Sequence, residues 1–295
     1  MLVLPQINLQ QSPDWKSYQL LDCGDGRKLE KFGPYTLIRP EAEAIWHISN
    51  PDLWQKANGE FVSTAEKNGG HWVSNGNLPE RWQMDYKKLQ FWVQTTSSKH
   101  VGVFPEQASQ WDWIEEQVQS SKKKPSVLNL FGYTGLASLA AARSGAEVTH
   151  VDASQKMINW GKENQLLSGL KNSPIRWLVD DAFKFVKREI RRGSKYDGII
   201  LDPPKFGRGP KGEVWEFYKI LPDLLDGCRQ ILSPEPLFLL MTAYAVKASS
   251  LTLHFALDEI MKKYKGNIVV GEVLISEKTN KHAISMAIFA RWSKN

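Results

Sequence analysis

Four acidic residues stand where short apolar runs end: Asp152 after EVTHV, Asp180 and Asp181 after IRWLV, and Asp202 after YDGIIL. A carboxylate at the tip of a buried strand accepts hydrogen bonds from hydroxyl or amino groups of whatever lies beyond the strand. The run VLNLF leads into Phe131-Gly132-Tyr133-Thr134-Gly135. In this turn the two glycines allow close backbone approach and positive φ, and Thr134 is placed to cap the next helix. Asp152 follows Gly132 by twenty residues, the spacing at which an acid reaches the two hydroxyls of a ribose. The turn lacks the GxGxxG pattern that cradles a pyrophosphate, so the pattern favours an adenosine carrying an amino-acid tail. Asp181 precedes Ala182 and Phe183: the carboxylate can accept an adenine amino group and the aromatic can flank its ring. Asp181 equally suits a helix N-cap, and the two roles are compatible.

The fourth tip reads Asp202-Pro203-Pro204-Lys205-Phe206. Two prolines remove two backbone donors and hold the chain extended, leaving the carboxylate and carbonyls as acceptors, as a nucleobase with N–H groups requires. GRGPKGE follows as a loop, so Lys205, Arg208 and Lys211 surround the tip, suited to phosphates. Lys184, Lys187, Arg188 and Arg191 fall on one helical face opposite Phe183, Val186 and Ile190. That face is either a phosphate contact or a solvated exterior.

From Phe104 onward apolar strands alternate with helices of ten or more residues, which predicts right-handed crossovers. The resulting fold class is α/β: a Rossmann-like, doubly wound, seven-stranded sheet. Only EKTNK separates the last two strands, too short for a parallel crossover, so they form a C-terminal antiparallel hairpin. Residues 1–95 form a small N-terminal β-rich domain of short strands and turns, and residues 96–295 form the α/β domain. Half of the twelve tryptophans fall within the first 94 residues, as core or as a stacking surface. Up to Gln94 there are 10 basic and 11 acidic residues, and beyond it 28 and 21, so the net charge of +6 resides in the second part, where a polyanion would meet it. Cys23 and Cys228 show no CxxC spacing and the six histidines no HxxxH pairing, which argues against a disulfide framework and a metal. Neither a secretory leader nor a membrane span is read, so the expected location is cytoplasmic.

The Phe131–Gly135 turn, Asp152, Asp181 and DPPKF at 202–206 together resemble class I S-adenosylmethionine-dependent methyltransferases. More narrowly, the pairing of NxFxYTG with DPPKF resembles the bacterial family that methylates bases of large-subunit (23S) ribosomal RNA. KHVGVFPEQ at 99–107 shares in the likeness, as does YTLIRPEAEAIW ahead of it. The resemblance implies S-adenosylmethionine as cofactor and RNA, ribosomal RNA foremost, as partner. Phe131, Gly132, Tyr133, Thr134 and Gly135 would line the methionine moiety, Asp152 with Ala153 and Ser154 the ribose, and Asp181 with Ala182 and Phe183 the adenine. Gln107, Asn129 and Asp202 complete the cofactor set, and Asp202, Pro203, Pro204, Lys205 and Phe206 form the catalytic tip. Methylation of cytosine C5 by the usual route needs a cysteine thiolate. The fifth strand ends instead in Thr242-Ala243-Tyr244, and Cys228 reads as a packed helix residue. A nitrogen acceptor is therefore the expectation. Competing readings are a small-molecule or protein methyltransferase, and a catalytically silent nucleic-acid-binding adaptor.

Overall fold

The computed structural model describes residues 4–11, 15–64, 69–278 and 281–294. The chain divides into two compact units, Met1–Gln10 with Ser109–Val273 and Met286–Asn295, and Gln11–Ala108 with Leu274–Ser285.

The first unit is built on an eight-stranded sheet. Its order is Ile7–Gln11, Gly266–Ser276, Ala283–Lys294, Phe238–Ala243, Gly198–Leu201, Ser126–Leu130, Glu147–Asp152 and Ile175–Val179. The five strands from Phe238–Ala243 to Ile175–Val179 are parallel, and Ala283–Lys294 runs antiparallel to Phe238–Ala243. Strand order reverses at Ser126–Leu130, which lies between the second and fourth core strands. This is the topological switch point beyond which ligands bind in open α/β sheets.

Burial on both faces explains why these strands read as continuous apolar runs. Leu128, Leu130, Ile199, Leu201, Leu239 and Met241 join one core, packed under Phe185, Leu224 and Leu257 from three helices. The alternate residues Val127, Ile200, Phe238 and Leu240 meet Ile114, Val118 and Ala141 in a second core. Period-two alternation thus assigns each side chain to one of two helical layers.

The eighth strand departs from the seven expected. Ile7–Gln11 adds to the sheet edge beside Gly266–Ser276 instead of belonging with the β-rich module. The site is prepared by Gly271, where a Cβ would overlap the Asn8 backbone. Gly271→Val should therefore release this strand, seen as lost amide-exchange protection over 7–11 while the parallel core stays protected. Of EKTNK, Thr279 and Asn280 lie outside the described residues.

The second unit contains a five-stranded sheet in the order Tyr18–Gly24, Arg27–Phe32, Tyr35–Pro40, Gly59–Ser63, Gly70–Ser74, and a ribbon of Arg81–Tyr86 with Leu89–Gln94. Trp15, Trp54 and Trp82 are buried, and Trp46, Trp72 and Trp92 are half-buried, so the aromatics are mainly core. At its centre Glu30 takes two hydrogen bonds from Arg39, both 2.7 Å, and one from the Tyr18 hydroxyl at 2.8 Å. Removing Glu30 would leave the buried Arg39 guanidinium without its carboxylate partner. Among the described residues no helix is long and apolar enough to cross a membrane.

Candidate active site

Strand register brings the sequence-predicted tips to one edge. Leu130 is level with Val151 and with Leu201, Asp152 with Val179, and Leu201 with Met241. Phe131, Asp152, Asp180, Asp202 and Thr242 consequently leave the sheet along its carboxyl edge.

The turn after the first core strand reaches its shape differently from expectation. Gly135 has φ of 88°, but the other left-handed positions are Phe131 at 58° and Tyr133 at 53°, not Gly132. Two non-glycine residues in this region mark a strained turn held by its surroundings. Gly132 is needed for a different reason, since a Cβ there would overlap the His150 ring. Nor does Thr134 cap the helix Leu136–Arg143: Gly135 holds the N-cap position without a side-chain bond, and Thr134 is buried. At Gly135 a Cβ would stand 2.5 Å from the Trp177 ring.

A buried polar column supports this turn from below. Asn129 Nδ2 donates to Ser138 Oγ at 2.9 Å, and Ser138 Oγ lies 2.9 Å from His150 Nδ1. Asn129, expected as a cofactor contact, is buried at the base of this column. His150 and Trp177 escaped the sequence reading, although strand alternation in EVTHVD places His150 on the same face as Asp152. Burial pushes the His150 imidazole down to about 3. In the second unit burial, reinforced by Arg39 and Lys99, takes His100 to about 3 as well. Below the ordinary value of 6.5 the unfolded chain binds these protons and the folded chain does not, so stability falls as pH drops from there toward 3. Each histidine should contribute a slope of about 1.4 kcal/mol per pH unit. Denaturant midpoints in wild type and His150→Gln check this, the variant having the shallower dependence.

Asp152 ties the turn after the first core strand to the start of the helix that follows the second. Its Oδ2 accepts from the Tyr133 amide and its Oδ1 from the Ser154 amide, both at 2.8 Å. Each oxygen retains a lone pair, so two vicinal hydroxyls can still be accepted. Burial raises this carboxyl above its usual range, against the pull of the two amides. Ser154 caps the helix Gln155–Leu167, accepting from the Met157 amide at 3.4 Å, and Ala153 is half-buried between the two. Asp181 is the N-cap of Ala182–Arg192 and accepts from the Lys184 amide at 2.8 Å. Ala182 is buried, and Phe183 is half-buried with Lys187 Nζ 3.9 Å from its ring centre. The basic face of this helix is partly consumed: Arg188 pairs with Asp180, and Lys184 with Glu213 at 2.6 Å. Gln107 belongs to the second unit, in the short turn Pro105–Gln107, and is buried there.

The fourth tip is more ordered than a loop. Beyond Asp202 and the buried Pro203, residues Phe206–Arg208 pair with Val214–Glu216 as an antiparallel ribbon. The Trp215 indole donates to the Pro204 carbonyl at 2.5 Å, the Phe217 amide to the Lys205 carbonyl at 3.1 Å, and the Trp215 ring packs 4.9 Å from that of Phe131. With Trp215 buried on one face, alternation leaves Phe206, Arg208 and Val214 on the other, with Phe206 66% exposed. Cys228 is fully buried, which pushes its thiol far above the usual range, and Thr242 is buried.

The residues fit an adenosyl cofactor on this structure's own terms, through a twice-anchored carboxylate at the switch point and a turn closed to side chains at Gly132 and Gly135. Comparison with known proteins agrees. Residues 53–259 match the family model for S-adenosylmethionine-dependent methyltransferases. A solved S-adenosylmethionine-dependent methyltransferase from Agrobacterium tumefaciens is 43% identical, with a TM-score of 0.94 over 100% of this chain and 98% of that one. A protein solved in complex with S-adenosylhomocysteine shares the fold, at 20% identity and a TM-score of 0.73 over 94% of this chain and 75% of that one. Ribosomal RNA large subunit methyltransferase K/L of Psychrobacter cryohalolentis is 30% identical over 64% of this chain, a segment that spans only 25% of that relative. The chain belongs to the S-adenosylmethionine-dependent methyltransferase family and is an enzyme of that class.

Proposed function

We propose that the enzyme methylates a nitrogen of an RNA base, with ribosomal RNA as the source of that base. The observation that carries this reading is the surface after Asp202: an exposed aromatic, Phe206, shares a ribbon face with Arg208 and follows directly on Lys205. A flat ring flanked by cations suits a base and its phosphates, because stacking tolerates any base and the cations meet the backbone. The K/L relative's name supports the same substrate class.

When bound, S-adenosylmethionine supplies a methyl group already activated by its sulfonium. The chain's own residues then have chiefly to align and shield the acceptor. Asp202 and the Pro203 carbonyl accept hydrogen bonds from the base, Phe206 or Tyr244 stacks on it, and Lys205 and Arg208 hold phosphates. Asp152 and the Phe131–Gly135 turn hold the ribose and methionine ends, while Asp181 and Phe183 take the adenine. A nitrogen acceptor follows from the absence of a thiol at the fifth strand's end, Thr242 to Tyr244, and from the burial of Cys228.

The test is transfer of labelled methyl from S-adenosylmethionine to bulk RNA, to protein and to neither, followed by digestion of the RNA to nucleosides. Label in an N-methylated nucleoside is the expected result. Label confined to protein, or to 5-methylcytidine, overturns the proposal.

A further inference from the structure

The second unit holds a side-chain cluster that methyl transfer does not use. Cys23, Glu277 and His282 present a sulfur, a carboxylate oxygen and an imidazole nitrogen that all lie within 4.8 Å of one another. Cys23 Sγ donates to Glu277 Oε1 at 3.1 Å, and His282 Nδ1 lies 3.2 Å from the same oxygen. Cys23 and Glu277 are buried, and the His282 side chain is 32% exposed.

The backbone dictates this meeting. The Glu277 amide donates to the His282 carbonyl at 2.9 Å, so the two residues face each other across the hairpin and their side chains project to the same side. The strand carrying Cys23 is tied to them by the Leu20–Glu277 bridge and by the Lys278 amide, which donates to the Leu20 carbonyl at 3.2 Å. The His282 ring is itself fixed. Trp46 stacks on it at 5.0 Å and 16°, while the Trp46 indole donates to the Cys23 carbonyl at 2.9 Å. The stacking restricts rotation of the imidazole and keeps its Nδ1 on the Glu277 side.

A thiolate, an imidazole and a carboxylate form a donor set for a borderline-soft dication, not for calcium or magnesium, which require oxygen ligands. We infer that Cys23, Glu277 and His282 bind one zinc ion, with a fourth position open to water on the His282 side. Binding exchanges the hydrogen bonds centred on Glu277 for three metal bonds, and the Cys23 proton passes to solvent. Tetrahedral zinc sets ligand separations of about 3.5 Å, so the 3.1 and 3.2 Å contacts to Glu277 Oε1 widen slightly while the Cys23–His282 separation, within 4.8 Å, closes. The inference is independent of the RNA reading.

The full-length protein, stripped by a chelator and desalted, is titrated with zinc against a chromophoric competitor and separately with cobalt. One equivalent of zinc should bind, and the cobalt form should show a near-ultraviolet thiolate-to-metal charge-transfer band that Cys23→Ser abolishes. His282→Gln should weaken zinc at least tenfold without shifting the Tm of the metal-free protein. Zinc affinity equal in wild type and Cys23→Ser, or a cobalt form without the charge-transfer band, overturns the site. Should Cys23→Ser fail to fold, His282→Gln at its partly exposed position decides: unchanged zinc affinity there also overturns it.

Discussion

Asp152→Ala is expected to weaken S-adenosylmethionine binding by about 100-fold, or about 2.7 kcal/mol. The side chain does two jobs at once. It fixes the strained Tyr133 backbone and the Ser154 amide, each at 2.8 Å, and in the proposed cofactor pose the remaining lone pairs of both oxygens meet the ribose. Hydrogen bonds to a charged acceptor contribute about 1.5–3 kcal/mol each, so loss of a single ribose contact already approaches the expected figure. Asp152→Asn keeps one acceptor oxygen but replaces the other by a donor that conflicts with an amide N–H, and should lose about tenfold or more. Calorimetry on both variants measures the effect. An unaltered Kd in the alanine variant would remove this residue from the cofactor site.

Asp202→Ala should separate chemistry from binding. The residue lies at the tip of Gly198–Leu201, where its amide donates to the Leu130 carbonyl at 3.4 Å and ties the backbone to the sheet. Cofactor affinity should stay within about threefold, while turnover falls by roughly 100- to 1000-fold, the range seen when one preorganised group that steadies the reacting partner is deleted. Parallel measurement of cofactor Kd and methyl transfer checks the split. Turnover at the wild-type rate would exclude Asp202 from the reaction, and a large loss of cofactor affinity would move it to the binding set.

The parallel core was legible because it obeys a local rule. VLNLF, YDGIIL and PLFLLM are apolar on both faces, and the register that levels Leu130, Val151 and Leu201 then carries Asp152 and Asp202 to a common edge. Where structure depends on distant partners, the sequence was silent. INLQQ at 7–11 alternates too weakly to identify its face, and its neighbour in the sheet comes more than 250 positions later. GRGPKGE reads as a loop on composition, yet Trp215 and Phe217 draw the segment into a ribbon by binding the Pro204 and Lys205 carbonyls. The left-handed backbone at Phe131 and Tyr133 contradicts residue preference outright. It is imposed by the Asp152 carboxylate and the His150 column, neither of which a local window contains. The Cys23, Glu277 and His282 cluster is the extreme case, its first two members being 254 positions apart.

The division of the chain has a consequence for biosynthesis. The unit that begins at Gln11 is completed only by Leu274–Ser285, and the other takes its edge strand from Ile7–Gln11, about a hundred residues ahead of the rest of it. Neither unit can therefore mature before residues 274–294 have been synthesised. Completion of each unit waits on contacts between segments far apart in the chain, and until then the nascent polypeptide stays exposed to chaperones and proteases.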